Sequence, residues 1–139
     1  MLYLLAALAD LVLFVLHMVA IFIGAPAYIF LRAGKRMAQA DIDGARWPAL
    51  LTGFISGVFL VWAGICYWAS TQNPFADWAS YLVVAIGCVF VLRGGMIVFQ
   101  AVGFTKLSDG EAPQPRDFVF SLSALIIGLL HLAAVLWAV

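Results

Sequence analysis

Charged side chains are scarce in this chain. Of its 139 residues, seven are Lys or Arg and seven are Asp or Glu, so only 10% are charged and the formal net charge is zero. A soluble domain of ordinary composition carries about 25% charged residues, so this chain has too little polar surface for one. Because the two signs lie together in connecting stretches, no basic face is available for nucleic acid, and nucleic-acid binding is not expected.

The sequence also lacks the common motifs of catalysis and metal binding. It contains no HExxH zinc motif, no phosphate-binding loop and no nucleophile elbow. Cys66 and Cys88 stand in apolar runs without CxxC spacing, and we expect both to be small buried hydrophobic residues with no disulfide or metal role. An independent enzyme is therefore less expected than a non-catalytic or electron-transfer subunit.

Long apolar segments are what the sequence does have. Hydrophobic residues make up 66% of the chain and the mean hydropathy is +1.11. About 20 apolar residues suffice for a helix to cross the hydrocarbon core of a bilayer. The sequence thus predicts an all-α integral membrane four-helix bundle forming a single transmembrane domain, residues 1–139, with spans at about 11–31, 48–70, 78–104 and 118–139.

The first apolar segment is longer than one span needs, because residues 1–9 are also apolar. They lack a positive leader region and a cleavage site, so a removable signal peptide is not expected. Asp10 is the expected break, with residues 1–9 at the membrane interface and residues 11–31 spanning. The alternative is one continuous tilted helix from residue 1. Gly24 and Pro26 predict a kink near the far end.

The positive charges indicate the orientation of the chain. The loops at residues 32–47 and 106–117 contain every Lys and Arg except Arg93. The positive-inside rule then places both termini on the outer side of the cell's inner (plasma) membrane, which is the periplasmic side if the source is bacterial. Asp117 is the expected cap of the fourth span. In the second span Gly53, Gly57 and Gly64 share one face, which predicts close approach of another helix.

Three ionisable residues lie inside the expected spans: His17, Arg93 and His131, with Asp10 at a boundary. Such residues are costly in a bilayer and are candidates for function. His17 and His131 each lie about 21 Å of helix from the expected cytoplasmic ends of their spans. If the first helix instead runs straight from residue 1 and depth is counted from the outer ends of the spans, His131 lies at the same depth as Asp10.

Two histidines at one depth among small residues predict the axial ligands of a haem b. The flat macrocycle fits between helices that present imidazoles, so His17 and His131 are the candidate iron ligands and Arg93 the candidate propionate partner. Two alternatives stand beside this hypothesis. Each histidine can simply hydrogen-bond a neighbouring helix, or a single histidine can bind the magnesium of a chlorophyll-type pigment.

The resulting functional expectation is a small multi-pass subunit of a larger respiratory or photosynthetic electron-transfer complex. Its expected partners are the lipid bilayer and other membrane subunits, because the intramembrane Arg93 and the glycine face are reasons to associate. The alternatives are a structural or assembly subunit without a cofactor, and a small carrier or proton pathway that uses Asp10, His17 and Arg93.

Overall fold

The computed structural model describes the backbone of residues 1–71, 77–101 and 114–137, and the side chains of residues 1–71, 78–96 and 114–137. All regular secondary structure in these residues is helical, so the expected all-α class is confirmed. Most of the loop at 106–117, and the expected ends of the third and fourth spans, lie outside the described residues. The helices are α1 (Leu2–Ile23), α2 (Ala25–Phe30), α3 (Lys35–Ile42), α4 (Trp47–Ala69), α5 (Asp77–Ala101) and α6 (Pro115–Leu136).

Four of the helices are long and apolar enough to cross a membrane: α1, α4, the Trp78–Met96 part of α5, and α6. This confirms the number of expected spans and their membrane character. The bounds of α4 differ by one residue from the expected 48–70. α6 begins at Pro115, three residues before the expected start, because Gln114 is its N-cap and Asp117 Oδ2 accepts the Gln114 backbone N–H at 2.7 Å.

The first span differs from the expected 11–31. α1 is continuous through Asp10, so the break expected there is absent and the continuous helix is the alternative that the chain adopts. The neighbours of Asp10 are alanines and leucines, which are strong helix formers. The chain instead changes direction at Gly24, where φ is +72°, a conformation that glycine adopts without steric penalty. α2 then begins with Pro26 in its first turn, as the Gly24 and Pro26 pair predicts.

The chain divides into two compact units, and the boundaries between them fall within α1 and within α4. The first unit is Met1–Asp10 together with Val61–Val139, and the second unit is Leu11–Leu60.

In the first unit, α5 and α6 approach so closely that their backbones meet. A Cβ at Gly94 would lie 2.6 Å from the Leu125 nitrogen and 2.6 Å from the Ser121 oxygen, and one at Gly128 would lie 2.8 Å from the Gly87 oxygen. On each helix the small residues are seven positions apart, which keeps them on one face. Only small residues permit this packing.

In the second unit, α2 packs against α3 around buried Tyr28 and Met37. Asp41 on α3 caps the start of α2, because its Oδ2 accepts the Ala25 backbone N–H at 2.7 Å. The same oxygen would lie 2.5 Å from a Cβ at Gly24, so the capping carboxylate occupies the space that a side chain there would need. The expected loop at 32–47 thus contains a helix and a side-chain cap.

The predicted glycine face on α4 is not where the closest helix packing occurs among the described residues. A Cβ at Gly53 would make an ordinary contact of 3.8 Å with Ile21, whereas Gly57 and Gly64 face open space. The close approach is instead between α5 and α6.

Candidate intramembrane ion site

Three helices of the first unit bring together Asp10 from α1, Cys66 from α4 and His131 from α6. Asp10 Oδ2 lies 3.1 Å from His131 Nε2, and Cys66 Sγ lies 3.8 Å from the same oxygen. One candidate ligand atom from each residue lies within 4.8 Å of the other two. All three side chains are fully buried. The first unit therefore contains a compact cluster of carboxylate, thiol and imidazole.

Asp10 lies in the first half of its helix, whereas Cys66 and His131 lie near the ends of theirs, and in a bundle of successive spans these three helix ends belong to one side of the membrane. Cys66 is one turn before the end of α4 at Ala69, and His131 is less than two turns before the end of α6 at Leu136. Asp10 is closer to the start of α1 than to its end. The orientation stays a prediction of the positive-inside rule, which expects these ends on the outer side of the membrane. On that prediction the cluster would lie in the outer half of the bilayer.

The helix around His131 determines which ring nitrogen faces Asp10. Nδ1 lies 2.8 Å from the Ile127 carbonyl one turn earlier. A carbonyl can only accept a hydrogen bond, so Nδ1 carries a proton and donates it. Nε2 is left to face the carboxyl group, as happens when a histidine is oriented for a metal or a proton.

A proton must therefore lie between His131 Nε2 and Asp10 Oδ2 at 3.1 Å. Without it, the lone pair of the nitrogen would face the lone pair of a carboxylate oxygen. Whether the proton is on the carboxyl group or on the imidazole, the pair has no net charge. This suits a membrane interior, where an isolated charge is costly.

The surroundings of the cluster are apolar. The Phe90 ring lies 5.6 Å from the His131 ring and is met edge-on by Trp62 at 5.5 Å, measured between ring centroids. Weak dielectric screening strengthens each polar interaction inside such a shell. Small residues dominate the buried cluster to which Cys66 belongs; its members are Tyr3, Ala6, Ala7, Cys66, Ala69, Ala79, Val83 and Ala134.

The second oxygen of Asp10 is not used. Oδ1 is buried and has no hydrogen-bond partner within the described part of the chain. Leaving a buried acceptor unpaired costs about 1–3 kcal/mol. The cluster thus has acceptor capacity that its own side chains do not fill.

Cys66 is the member that sequence reasoning missed. It is buried, as expected, but it lies beside Asp10 instead of acting only as a small hydrophobic residue. No local motif marks it, because its two partners are more than 50 residues away in the sequence. Cys88 is exposed, so the expectation that it is buried was wrong.

His17 lies in the second unit and is partly buried. Its Nδ1 donates to the Leu13 carbonyl at 2.8 Å, and its ring packs 5.0 Å from the Phe59 ring. The local helix geometry is thus the same as at His131, although the neighbours differ. Arg93 is exposed on α5. The prediction that His17, His131 and Arg93 hold a haem stays a prediction.

Taken together, the residues define a class: an all-α membrane protein with a buried carboxylate, thiol and imidazole cluster inside its spans. No protein-family model, curated protein or solved structure matches this chain. Function must therefore be argued from the site.

Proposed function

We propose that this protein is a small membrane carrier that binds a cation inside the bilayer at the Asp10 and His131 pair. The observation that supports it is a fully buried carboxylate and imidazole joined at 3.1 Å, with no partner for the second carboxylate oxygen among the described residues. Ionisable side chains are rare in membrane spans and usually mark ion or proton pathways.

A purely structural role explains this geometry less well. A pair that served only to hold α1 against α6 would be most stable with each of its polar atoms matched, and Asp10 Oδ1 is not. An apolar pair of similar volume would pack the same helices without the desolvation penalty of the polar groups. The unpaired oxygen is better explained by an occupant that it binds.

The placement of the ligands also favours a carrier. Asp10 and His131 come from different helices, so an occupant that contacts both stabilises the closed arrangement of α1 and α6 relative to any open one. A ligand that binds one of two conformations more tightly shifts the population toward it. A cation bound to both side chains would therefore oppose separation of α1 from α6, and the proposed carrier requires such a separation between loading and release.

Flux measurements on reconstituted protein test the proposal. We expect proteoliposomes that enclose a pH-sensitive dye and a Zn²⁺-sensitive dye to take up one of these cations faster than protein-free liposomes. Asp10→Asn, which keeps the size and removes the charge, should lower that flux at least about tenfold. The matched control is Asp43→Asn, because Asp43 is exposed at the C-terminal end of α3 and its carboxylate accepts a hydrogen bond from Gln39. Equal flux with and without protein would contradict the carrier.

A second candidate is the haem-binding subunit of an electron-transfer complex in the bacterial inner membrane. It is favoured by one observation: His17 and His131 both donate Nδ1–H to a backbone carbonyl, which fixes the tautomer that presents Nε2 to a metal. In this case the bond from His131 Nε2 to Asp10 has to open to admit iron.

An absorption spectrum separates the two candidates. Protein purified from haem-replete cells should show a reduced-minus-oxidised haem b spectrum that both His17→Ala and His131→Ala abolish. A colourless preparation would rule out the haem. Loss of colour in only one variant would indicate a single-histidine pigment site. Co-purification of other membrane subunits in mild detergent tests the assignment to a complex.

A further inference from the structure

We propose that the cation bound in the first unit is a divalent transition-metal ion of the Zn²⁺ class, with Asp10, Cys66 and His131 as its ligands. This inference rests on the proposed cation site and adds the identity of the ion and the third ligand. Zinc binds thiolate sulfur, imidazole nitrogen and carboxylate oxygen, which are the three donors present here.

The spacing of the donor atoms suits such an ion. Ligand atoms about 2.0–2.3 Å from one zinc ion at tetrahedral angles lie about 3.3–3.8 Å from each other. The observed separations from Asp10 Oδ2 are 3.1 Å to the His131 nitrogen, just below this range, and 3.8 Å to the Cys66 sulfur, at its upper end. Binding therefore needs the Asp10 oxygen and the His131 nitrogen to move apart by a few tenths of an ångström.

Charge balance permits a divalent ion that is bound by all three ligands. Without metal, the Cys66 thiol is neutral and the Asp10 and His131 pair shares one proton, so the cluster has no net charge. A divalent ion displaces the thiol proton and the shared proton, and it meets a thiolate, a carboxylate and a neutral imidazole. Two protons leave and two positive charges enter, so the buried cluster stays neutral. A monovalent ion with the same ligands would leave an uncompensated negative charge in the membrane.

The ligand types also exclude the hard cations. Mg²⁺ and Ca²⁺ prefer six or more oxygen ligands, whereas this cluster offers sulfur, nitrogen and a single carboxylate. Asp10 Oδ1, which has no hydrogen-bond partner in the described part of the chain, is available to complete the coordination. The unpaired oxygen thereby acquires a partner on metal binding.

Cobalt is the probe for the test, since Co²⁺ occupies zinc sites and a bound thiolate gives it a charge-transfer absorption band. Detergent-purified protein titrated with Co²⁺ should develop this band with one ion per chain, and Zn²⁺ should abolish it. Mg²⁺ and Ca²⁺ should not. Cys66→Ser should lose the band and weaken Zn²⁺ binding at least about tenfold. Cys88→Ser is the matched control, because Cys88 is exposed and not part of the cluster.

A second variant covers the case in which Cys66→Ser fails to fold. Cys66→Ala fits the space that the thiol fills and buries no polar group, so it should lose the thiolate band and show a smaller rise in the thermal unfolding temperature on addition of Zn²⁺ than the unmodified protein. Absence of the band in the unmodified protein, its persistence in Cys66→Ser, or displacement of Co²⁺ by Ca²⁺ would each overturn the inference. Metal binding without flux in liposomes would instead reject the carrier alone, and Asp10-dependent proton flux without Co²⁺ binding would reject the metal alone.

Discussion

The two units contain histidines and glycines with similar local positions, but these residues have different neighbours. Each has a histidine whose Nδ1 donates to the carbonyl one turn earlier, His17 in the second unit and His131 in the first. Each also has membrane-span glycines. In the first unit the histidine is fully buried against a carboxyl group and the glycines let α5 and α6 touch, whereas in the second unit His17 packs against Phe59 and Gly57 faces open space. Histidines and glycines in similar local positions are thus expected to contribute differently to stability, because their tertiary neighbours differ.

The largest difference between the units is expected at their glycines. Gly94→Val should destabilise the protein by about 3 kcal/mol, at the upper end for overpacking, because a Cβ there would lie 2.6 Å from the α6 backbone, which cannot move aside. Gly57→Val, in open space, should have almost no effect on stability. Equilibrium unfolding in mixed micelles measures both changes. Equal losses in the two variants would mean that the tight α5 and α6 contact is not present.

The two histidines provide the next comparison. His131→Ala should cost about 1–3 kcal/mol, since it leaves the weak Cys66 thiol donor at 3.8 Å as the one described hydrogen-bond partner of the buried Asp10 carboxyl group. His17→Ala, at a partly buried site, should cost less than about 1 kcal/mol. The double variant Asp10→Ala and His131→Ala should be more stable than the sum of the single changes predicts, and a simple sum in a double-mutant cycle would show that the two residues do not interact.

A carboxylate that caps a helix is found in the second unit. Asp41→Ala should destabilise by about 1 kcal/mol, the usual effect of losing a helix cap, because Asp41 accepts the Ala25 N–H at 2.7 Å. Asp43→Ala, which breaks only an exposed bond to Gln39, should cost a few tenths of that. Neither variant should alter Co²⁺ binding, and a loss of binding in Asp41→Ala would show that the second unit also contributes to the metal site.

The smallest contrast concerns two buried tyrosines. Tyr3→Phe should cost about 0.5–1.5 kcal/mol, since the Tyr3 hydroxyl bonds Ser80 Oγ at 3.0 Å in the first unit. Tyr28→Phe in the second unit should be neutral or slightly stabilising, because the Tyr28 hydroxyl is buried and lacks a partner among the described residues. Thermal unfolding of both variants measures this contrast. A larger loss for Tyr28→Phe than for Tyr3→Phe would indicate that the Tyr28 hydroxyl is bonded after all.

Sequence reasoning identified Asp10 and His131 as candidates, but its preferred hypothesis paired His131 with His17 and not with Asp10. With Asp10 as a helix break, His131 appeared level with His17, and only a continuous first helix makes Asp10 and His131 level. The structure has the continuous helix and the 3.1 Å contact. The choice could not be made locally, because an aspartate between alanine and leucine is compatible both with a cap and with a helix interior whose carboxyl group has a distant partner.

The sequence by itself determined the all-α membrane class, the number of spans and a change of direction at Gly24 and Pro26, because these follow from apolar length and from backbone chemistry that acts over a few residues. Only the tertiary structure decided that Cys66 joins Asp10 and His131, and that Gly87, Gly94 and Gly128 are the glycines that carry the close helix contact. Contacts between distant helices depend on which face each helix turns toward the others. In a bilayer that choice is made by side-chain packing and hydrogen bonds, since lipid is as apolar as the helices themselves.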